Sequence, residues 1–212
     1  MRSYRRILLD EDLEWSKPYM KGLVLDIGGG RKRGNFARPD TATFITLDIS
    51  RSMKPEILGD ARYAPVRSAS VDCVKCTELL EHVEYPEEAV REIARVLKPG
   101  GILILSMPFM FGIHGDPYDF QRFTGEKLKR MLENDFDIIG LKRQGLYFTV
   151  LAFMIKQAAM NIRPGVRYAA YPIFPLLDLM AGLDKTKRVQ RSAFFSSYTT
   201  GHFVIARKKG EE

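Results

Sequence analysis

The sequence has little that would point to a disulfide-stabilised, disordered or membrane-spanning protein. Its 212 residues include only two cysteines, one tryptophan and three histidines. Hydrophobic residues make up 45% and charged residues 28%, a balance typical of a folded chain. The N-terminal stretch MRSYRRILLDEDLEW has only ILL where a secretory signal needs about seven apolar residues. We therefore expect a cytoplasmic protein with a substantial core.

The two cysteines form a CxxC pair, Cys73 and Cys76, in VDCVKCTELL. The sequence has no second pair and no nearby histidine at ligand spacing, so we expect no zinc at these cysteines and no metal site in the chain. The pair lies in a predicted strand, where residues three positions apart face opposite sides. We interpret both cysteines as core residues.

Predicted strands and helices alternate over the first two thirds of the chain, which indicates a parallel sheet with crossover helices. In the segment YPEEAVREIARVL a proline opens the first turn and apolar residues recur at helical spacing. TGEKLKRMLEN predicts another helix, capped by Thr124. The predicted strands are residues 22–30, 43–50, 56–61, 70–79, 102–109, 136–145 and 201–209.

A long segment, residues 146–200, separates the last two predicted strands and contains LYFTVLAFMIKQAAM and YPIFPLLDLMAGL. Both stretches are apolar nearly all round, and we expect a helical insert. Lys156 and Asp178 interrupt them, so neither has the ~20 apolar residues that cross a bilayer. The insert could bury its apolar surface in the core, in a homodimer or at a membrane surface. Burial in the core is the first expectation, and the nearby cations Lys185, Lys187, Arg188 and Arg191 add support to the membrane option.

The segment VLDIGGG predicts a strand followed by a glycine turn that holds a polar ligand. A dinucleotide fingerprint would need a small residue at position 33, which is Arg33. Asp26 would repel a pyrophosphate but attract the ammonium group of S-adenosylmethionine. Gly28 and Gly30 would let the backbone approach that cofactor closely.

Two further acids follow the next two predicted strands. Asp48, with Ile49 beside it, comes twenty residues after Gly28 and can accept hydrogen bonds from both ribose hydroxyls. Asp60 can accept from an adenine amino group, and Ala61 offers a backbone N–H to the ring. We therefore expect the acids to lie along the carboxyl edge of the sheet.

The segments VLDIGGG, LDIS, GDA, CTELLEHV and LKPGGILILSMP follow one another over residues 20–110. In order and spacing they resemble the motifs of class I S-adenosylmethionine-dependent methyltransferases. The resemblance implies an α/β, Rossmann-like, doubly wound sheet of seven strands, mostly parallel with the last antiparallel, in one domain of residues 1–212. It also implies that Thr77 and the neighbouring Glu78 lie at the edge of the cofactor pocket. His82 either contacts the ligands there or packs the following helix.

The loop PFMFGIHGDPYDFQRFT follows the fifth predicted strand and leaves the sheet at the same edge. It is similar to a pattern, P-x-x-x-x-H-x-x-P-x-D-x-x-R-F-T, of a bacterial and archaeal branch of that superfamily. We hypothesise that His114 is a general base oriented by Asp116 or Asp119, and that Tyr118 and Arg122 bind the acceptor. Alternatively, Asp119 and Arg122 brace the loop and His114 bonds a backbone carbonyl.

Three functions are compatible with these features. The first is methyl transfer, at oxygen, to a small-molecule or lipid-linked acceptor, with residues 146–200 as a lid and a peripheral membrane contact. The second is methylation of RNA, suggested by the net charge of +7. A recognised RNA-binding module is absent, so we expect no nucleic-acid partner and interpret basic clusters such as Arg2, Arg5 and Arg6 as solvated. The third is a non-catalytic protein that binds the cofactor or a partner chain.

Overall fold

Seven β-strands form a single sheet in the computed structural model, which describes residues 3–29, 36–115, 118–162 and 168–210. Each predicted strand corresponds to an observed one, with bounds that differ by a few residues. The strands are β1 (Gly22–Ile27), β2 (Ala42–Asp48), β3 (Ile57–Leu58), β4 (Val71–Thr77), β5 (Leu97–Pro108), β6 (Phe136–Arg143) and β7 (Gly201–Lys208).

The strands lie in the order β3-β2-β1-β4-β5-β7-β6. Pairing is parallel from β3 through β5, whereas β7 runs antiparallel to both β5 and β6. The expected doubly wound sheet with an antiparallel last strand is confirmed. Because β1, β2 and β4 are parallel neighbours, the loops that follow them emerge at one edge of the sheet.

The helices are α1 (Tyr4–Ser16), α2 (Pro86–Val96), α3 (Gly125–Leu132), α4 (Tyr147–Met160), α5 (Phe174–Gly182) and α6 (Lys187–Arg191). The prediction for α2 is confirmed, since Ala89, Val90 and Ile93 are buried on one stripe. Thr124 caps α3 as predicted, because its side chain accepts a hydrogen bond from the backbone N–H of Lys127 at 3.2 Å.

Both faces of the sheet are covered by helices. On one face α2 and α3 pack against β4 and β5, and this cluster includes Cys76. On the other face Leu9 and Leu13 of α1 pack with Cys73 and Phe203. The two cysteines are thus buried on opposite sides of β4, as predicted, and burial raises the pKa of the Cys73 thiol to about 12.

Helix α1 was not predicted, and it overturns one interpretation of the basic residues. Arg5 is buried instead of solvated, because its guanidinium binds both carboxylate oxygens of Glu78. The same group donates to the Gln144 side chain and to the Thr200 carbonyl, each at 3.1 Å. Arg5 therefore ties the first helix to the carboxyl end of β4 and to the start of β7.

The segment between β6 and β7 forms the helices α4, α5 and α6 and several short turns. Helices α4 and α5 pack together through Ala152, Phe153 and Leu177, and Tyr4 of α1 joins this cluster. Lys156 of α4 lies over the Tyr4 ring and 3.5 Å from the carboxylate of Asp178 in α5. The two charges that interrupt the apolar stretches thus pair with each other across the helix contact.

The outward faces of α4 and α5 remain exposed on the protein surface. Leu176 and Leu179 of α5 are 64% and 72% exposed, and Met154 of α4 is 50% exposed. The intramolecular core therefore covers only one side of this helix pair. Among the described residues, every helix is too short or too polar to cross a membrane.

Candidate functional site

A cavity of about 670 Å³ lies where β1, β2, β3 and β4 end, the edge at which the sequence predicts a ligand. That volume is typical of sites for small molecules and cofactors. It is lined by Ile27, Gly28, Leu47, Asp48, Ile49, Ser50, Met53, Gly59, Asp60, Ala61, Arg62, Glu78, Leu79, His82, Val83, Glu84, Gly115, Tyr118 and Phe120.

The glycine turn after β1 forms one wall of this cavity. Gly28 has φ +73°, and a Cβ there would lie only 2.9 Å from Leu79 Cδ1. A Cβ at Gly29 would collide with the carboxylate of Asp26. These positions require glycine, so the backbone itself forms the wall. The predicted cofactor residue Gly30 lies outside the described residues.

Asp26 is buried at the end of β1 and is paired with Lys75 of the neighbouring strand β4. Lys75 Nζ lies 2.6 Å from Asp26 Oδ1. Asp26 is not among the described residues that line the cavity. The predicted contact with a cofactor ammonium would therefore have to compete with Lys75, a cation that local sequence reasoning missed because it lies on another strand.

Asp48 and Ile49 both line the cavity at the end of β2, as the ribose hypothesis requires. Asp48 is buried, and its Oδ1 accepts a hydrogen bond from the Ser50 backbone N–H at 2.8 Å. That bond holds the carboxylate in a fixed direction, with hydrogen-bonding capacity left for a ligand. Ile49 is 69% exposed and provides an apolar surface beside it.

Asp60 and Ala61 line the cavity after β3, where an adenine contact was predicted. Arg62, which the prediction missed, also lines it and binds both oxygens of Asp60. This contact lowers the pKa of Asp60, which keeps the carboxylate ionised at neutral pH. The pair presents one negative and one positive group, so a ligand can meet an acceptor and a donor there.

The predicted pocket-edge residues at the carboxyl end of β4 are Thr77 and Glu78. Glu78 lines the cavity, while Thr77 is not among its described lining residues. Glu78 has φ +53°, an uncommon backbone conformation for a side chain of its size. Arg5 and the Ser106 hydroxyl both donate to its carboxylate, which stabilises this conformation.

The turn after Glu78 supports the loop that follows β5. His82 lines the cavity, and its Nδ1 lies 2.6 Å from the Tyr118 carbonyl. The Phe120 backbone N–H donates to the Glu81 carbonyl at 2.8 Å, and Gln121 donates to two carbonyls of the same turn. His82 therefore faces the cavity and contacts the loop after β5, while its contact with a bound ligand stays a prediction.

Both hypotheses for the acceptor loop have geometric counterparts in the structure. Arg122 binds both oxygens of Asp119, which is the predicted brace and lowers the pKa of Asp119. His114 Nδ1 lies 3.2 Å from Asp119 Oδ2 and equally far from the Gly112 carbonyl. Asp119 thus contacts both Arg122 and His114. Asp116, the other predicted partner of His114, lies outside the described residues.

The remaining loop residues form the mouth of the cavity. Tyr118 and Phe120 line it, with ring centroids 5.7 Å apart, and both rings are largely exposed. The His82 and His114 rings lie edge to face at 5.0 Å between centroids. His114 therefore sits next to a lining residue, close to the cavity although not itself among the described lining residues.

These features fit S-adenosylmethionine better than a dinucleotide. The glycine wall leaves space for a backbone approach, and two carboxylates, Asp48 and Asp60, lie at separate strand ends where ribose and adenine would contact them. A pyrophosphate would instead meet Asp48, Asp60 and Glu78, with Arg62 already paired. The bound cofactor would supply an electrophilic methyl group on a cationic sulfur.

Comparison with known proteins agrees with this assignment. Residues 25–105 match the profile of a methyltransferase domain. Malonyl-[acyl-carrier protein] O-methyltransferase of Xylella fastidiosa is 30% identical over 113 residues, 46% of this chain and 38% of that protein. Ubiquinone biosynthesis O-methyltransferase of Xanthomonas oryzae pv. oryzae is 51% identical over 43 residues, 20% of this chain and 18% of that protein. The chain thus spans well under half the length of these relatives.

Solved structures share the fold at low sequence identity. The [4+2]-cyclase SpnF has a TM-score of 0.61 and 20% identity, covering 96% of this chain and 80% of its own. Phosphoethanolamine N-methyltransferase 2 of Haemonchus contortus, in complex with S-adenosyl-L-methionine, has a TM-score of 0.56 and 16% identity, covering 95% of this chain and 53% of its own. At these identities the likeness shows the fold.

Proposed function

Since the chain carries a methyltransferase domain on the class I S-adenosylmethionine-dependent fold, we propose that it transfers the methyl group to oxygen of a small-molecule or lipid-linked acceptor. One observation carries this proposal: His114, oriented by Asp119, stands beside His82 at the mouth of the cavity that Asp48 and Asp60 line. Methyl transfer needs a nucleophile held in line with the methyl carbon and, for a hydroxyl, a base.

His114 has the geometry of a general base. Both neighbours of its Nδ1, the Asp119 carboxylate and the Gly112 carbonyl, can only accept hydrogen bonds. Nδ1 therefore carries the proton, and Nε2 keeps its lone pair to take a proton from an acceptor hydroxyl. The bound cofactor would supply the methyl carbon and its carbon–sulfur bond would break as the acceptor oxygen bonds to that carbon, while His114 Nε2 would hold the proton removed from the acceptor. Arg122 holds Asp119 in place during this step.

The exposed faces of α4 and α5 support a lipid-linked acceptor. Leu176, Leu179 and Leu183 are exposed and recur at helical spacing, which makes one apolar stripe. Lys185, Lys187, Arg188 and Arg191 follow it and are exposed, so anionic headgroups could pair with them. An apolar stripe followed by cations is typical of a surface that lies on a bilayer. The two relatives named as O-methyltransferases support oxygen as the target atom.

A transfer assay with unidentified acceptors tests the proposal. The full chain is incubated with methyl-labelled S-adenosylmethionine and with lysate separated into lipid, small-molecule and RNA fractions. We expect label in the lipid or small-molecule fraction. The labelled group should be an O-methyl ether, which is stable to alkali, or an O-methyl ester. Label confined to RNA, or no label in any fraction while the cofactor binds, would overturn the proposed acceptor class.

His114→Gln tests the role of the base in the same assay. Loss of general base catalysis typically costs 10²- to 10⁴-fold, so we expect a drop of at least about 100-fold in turnover. Cofactor affinity should be unchanged because His114 is not among the described lining residues. Glu133→Gln, an exposed substitution at the end of α3, is the matched control. Full turnover by His114→Gln would remove this residue from the chemistry.

A further inference from the structure

Glu81 is a buried carboxylate without a hydrogen-bond partner among the described residues. The residue is 0% exposed, and neither Oε1 nor Oε2 forms a hydrogen bond. The surrounding charges are already paired, Arg5 with Glu78 and Arg122 with Asp119. A buried polar group of this kind needs a partner that compensates its desolvation.

Two histidines face this carboxylate. One ligand atom from each of Glu81, His82 and His114 lies within 4.8 Å of the others. His82 Nε2 is 3.8 Å from Glu81 Oε1. Atoms bound to one ion at about 2.1 Å lie roughly 3–4 Å apart. Small rotations of the three side chains would therefore bring their ligand atoms to the spacing that coordination requires.

In both imidazoles the surroundings of Nδ1 are typical of histidines that bind a metal ion through Nε2. His82 Nδ1 lies 2.6 Å from the Tyr118 carbonyl, and His114 Nδ1 lies 3.2 Å from Asp119 Oδ2. Each Nδ1 faces an acceptor and therefore carries the proton, which leaves Nε2 of each ring to coordinate. Histidine ligands commonly donate their second N–H to a carbonyl or a carboxylate in this way.

We propose that Glu81, His82 and His114 bind a first-row divalent metal ion next to the cofactor cavity. Two imidazoles and one carboxylate suit Zn²⁺ or Fe²⁺, whereas Mg²⁺ and Ca²⁺ prefer oxygen ligands alone. Three protein ligands leave coordination positions open for another group. Sequence reasoning missed this set, because Glu81 and His82 are adjacent while His114 lies in the loop after β5, and no regular ligand spacing links them.

The position of the site connects it to methyl transfer, and this part of the inference rests on the proposed function. His82 lines the cofactor cavity, so an acceptor oxygen at an open metal position would lie close to the methyl donor. A bound ion would lower the pKa of a coordinated hydroxyl, whose proton would leave to water as the oxygen–carbon bond forms and the donor's carbon–sulfur bond breaks. His114 would act as the general base in the metal-free protein, whereas in the metal-bound protein its Nε2 would be a ligand and the ion would activate the hydroxyl instead.

Metal binding is tested directly with tag-free full chain stripped by a chelator. Zn²⁺ titration by calorimetry should show one equivalent bound, and Co²⁺ should give visible absorption bands of a nitrogen- and oxygen-bound ion. Mg²⁺ should not compete. Glu81→Gln and His82→Gln should each weaken Zn²⁺ binding by at least about 10-fold, the scale seen even for loss of residues outside the ligand shell.

The controls separate this inference from the proposed function. Glu133→Gln should bind Zn²⁺ like the wild type, and the stripped protein should still bind S-adenosylmethionine. Cofactor binding without Zn²⁺ binding overturns the metal site and leaves the proposed function standing. Equal Zn²⁺ affinity in all variants also overturns it, because the ion then binds elsewhere. Zn²⁺ binding in a protein that transfers no methyl group would support the site and contradict the proposed function.

Discussion

At the scale of single residues, Arg5 connects the packing of the first helix to the geometry of the ligand site. It is buried, it binds Glu78 through both carboxylate oxygens, and it donates to Gln144 and to the Thr200 carbonyl. Because Glu78 lines the cavity in a left-handed backbone conformation, this ion pair connects the N-terminal helix to the ligand site. Packing and site geometry therefore depend on the same side chain.

Arg5→Met should lower the free energy of unfolding by about 2–3 kcal/mol, since it leaves the carboxylate of Glu78 without its cationic partner. The double variant Arg5→Met, Glu78→Gln should be no less stable than Arg5→Met, because the second change removes that uncompensated charge. Urea unfolding of the wild type, Arg5→Met, Glu78→Gln and the double variant measures these free energies. If the losses in unfolding free energy of Arg5→Met and Glu78→Gln simply add in the double variant, the two side chains are not coupled. This account of Arg5 would then be wrong.

At the scale of secondary structure, the helix α4 begins without a capping side chain in its own N-cap residue, Leu146. Asp184 supplies the cap from the far end of α5. Its carboxylate accepts hydrogen bonds from the backbone N–H groups of Leu146, Phe148 and Thr149, at 2.7, 3.1 and 2.9 Å. Since Asp184 is buried, it satisfies donors at the start of α4 that water would reach poorly.

Asp184→Ala should lower the free energy of unfolding by about 2 kcal/mol, because it removes a helix cap and leaves several buried N–H groups without an acceptor. Thr124→Ala, which removes the exposed cap of α3, is the matched control and should cost about 1 kcal/mol or less. Hydrogen exchange should show faster exchange at Phe148 and Thr149 in Asp184→Ala. Unchanged protection at those amides would contradict the capping role.

The outward faces of the helices α4 and α5 lead to a prediction about membranes. The chain should float with vesicles that contain anionic lipid and should float less as salt rises. Leu176→Gln together with Leu179→Gln should reduce flotation while changing stability by less than about 0.5 kcal/mol per site, because both side chains are mostly exposed. Ile139→Gln, an exposed change on β6, is the control. Absence of flotation at low salt would contradict the proposed membrane contact.

At the scale of the whole molecule, the mostly parallel sheet and the position of the ligand edge could be predicted, because β1, β2, β3 and β4 each end at or just before a glycine or an acid. Pairings between distant segments could not be predicted. Arg5 and Glu78 are 73 residues apart, and Lys75 and Asp26 are 49 apart. Only the folded sheet brings them together. The buried carboxylate of Glu81, which has no hydrogen-bond partner in the described part of the chain, was equally hidden, although a glutamate inside CTELLEHV was visible as a charged residue amid apolar ones.

The acid stability of the molecule should depend on His202 in β7. Burial and the nearby Arg143 and Arg5 lower the pKa of His202 from 6.5 to about 4. The unfolded chain therefore binds more protons between these pH values, so this contribution to stability is full above pH 6.5 and is lost as pH falls towards 4. Urea unfolding at a series of pH values should show a shallower decline for His202→Gln. If the free energy of unfolding fell equally steeply with decreasing pH in the wild type and in His202→Gln, this role of His202 would be contradicted.

The central claim is that the ends of β1, β2, β3 and β4 hold S-adenosylmethionine, and calorimetric titration with this cofactor tests it most directly. The wild type should bind one equivalent, and Asp48→Ala should bind at least about 10-fold more weakly, because a hydrogen bond to a charged group contributes roughly 1.5–3 kcal/mol. Asp137→Ala, an exposed change on β6, should bind like the wild type. Absence of binding by the folded wild type, or equal affinity of Asp48→Ala, would contradict the claim.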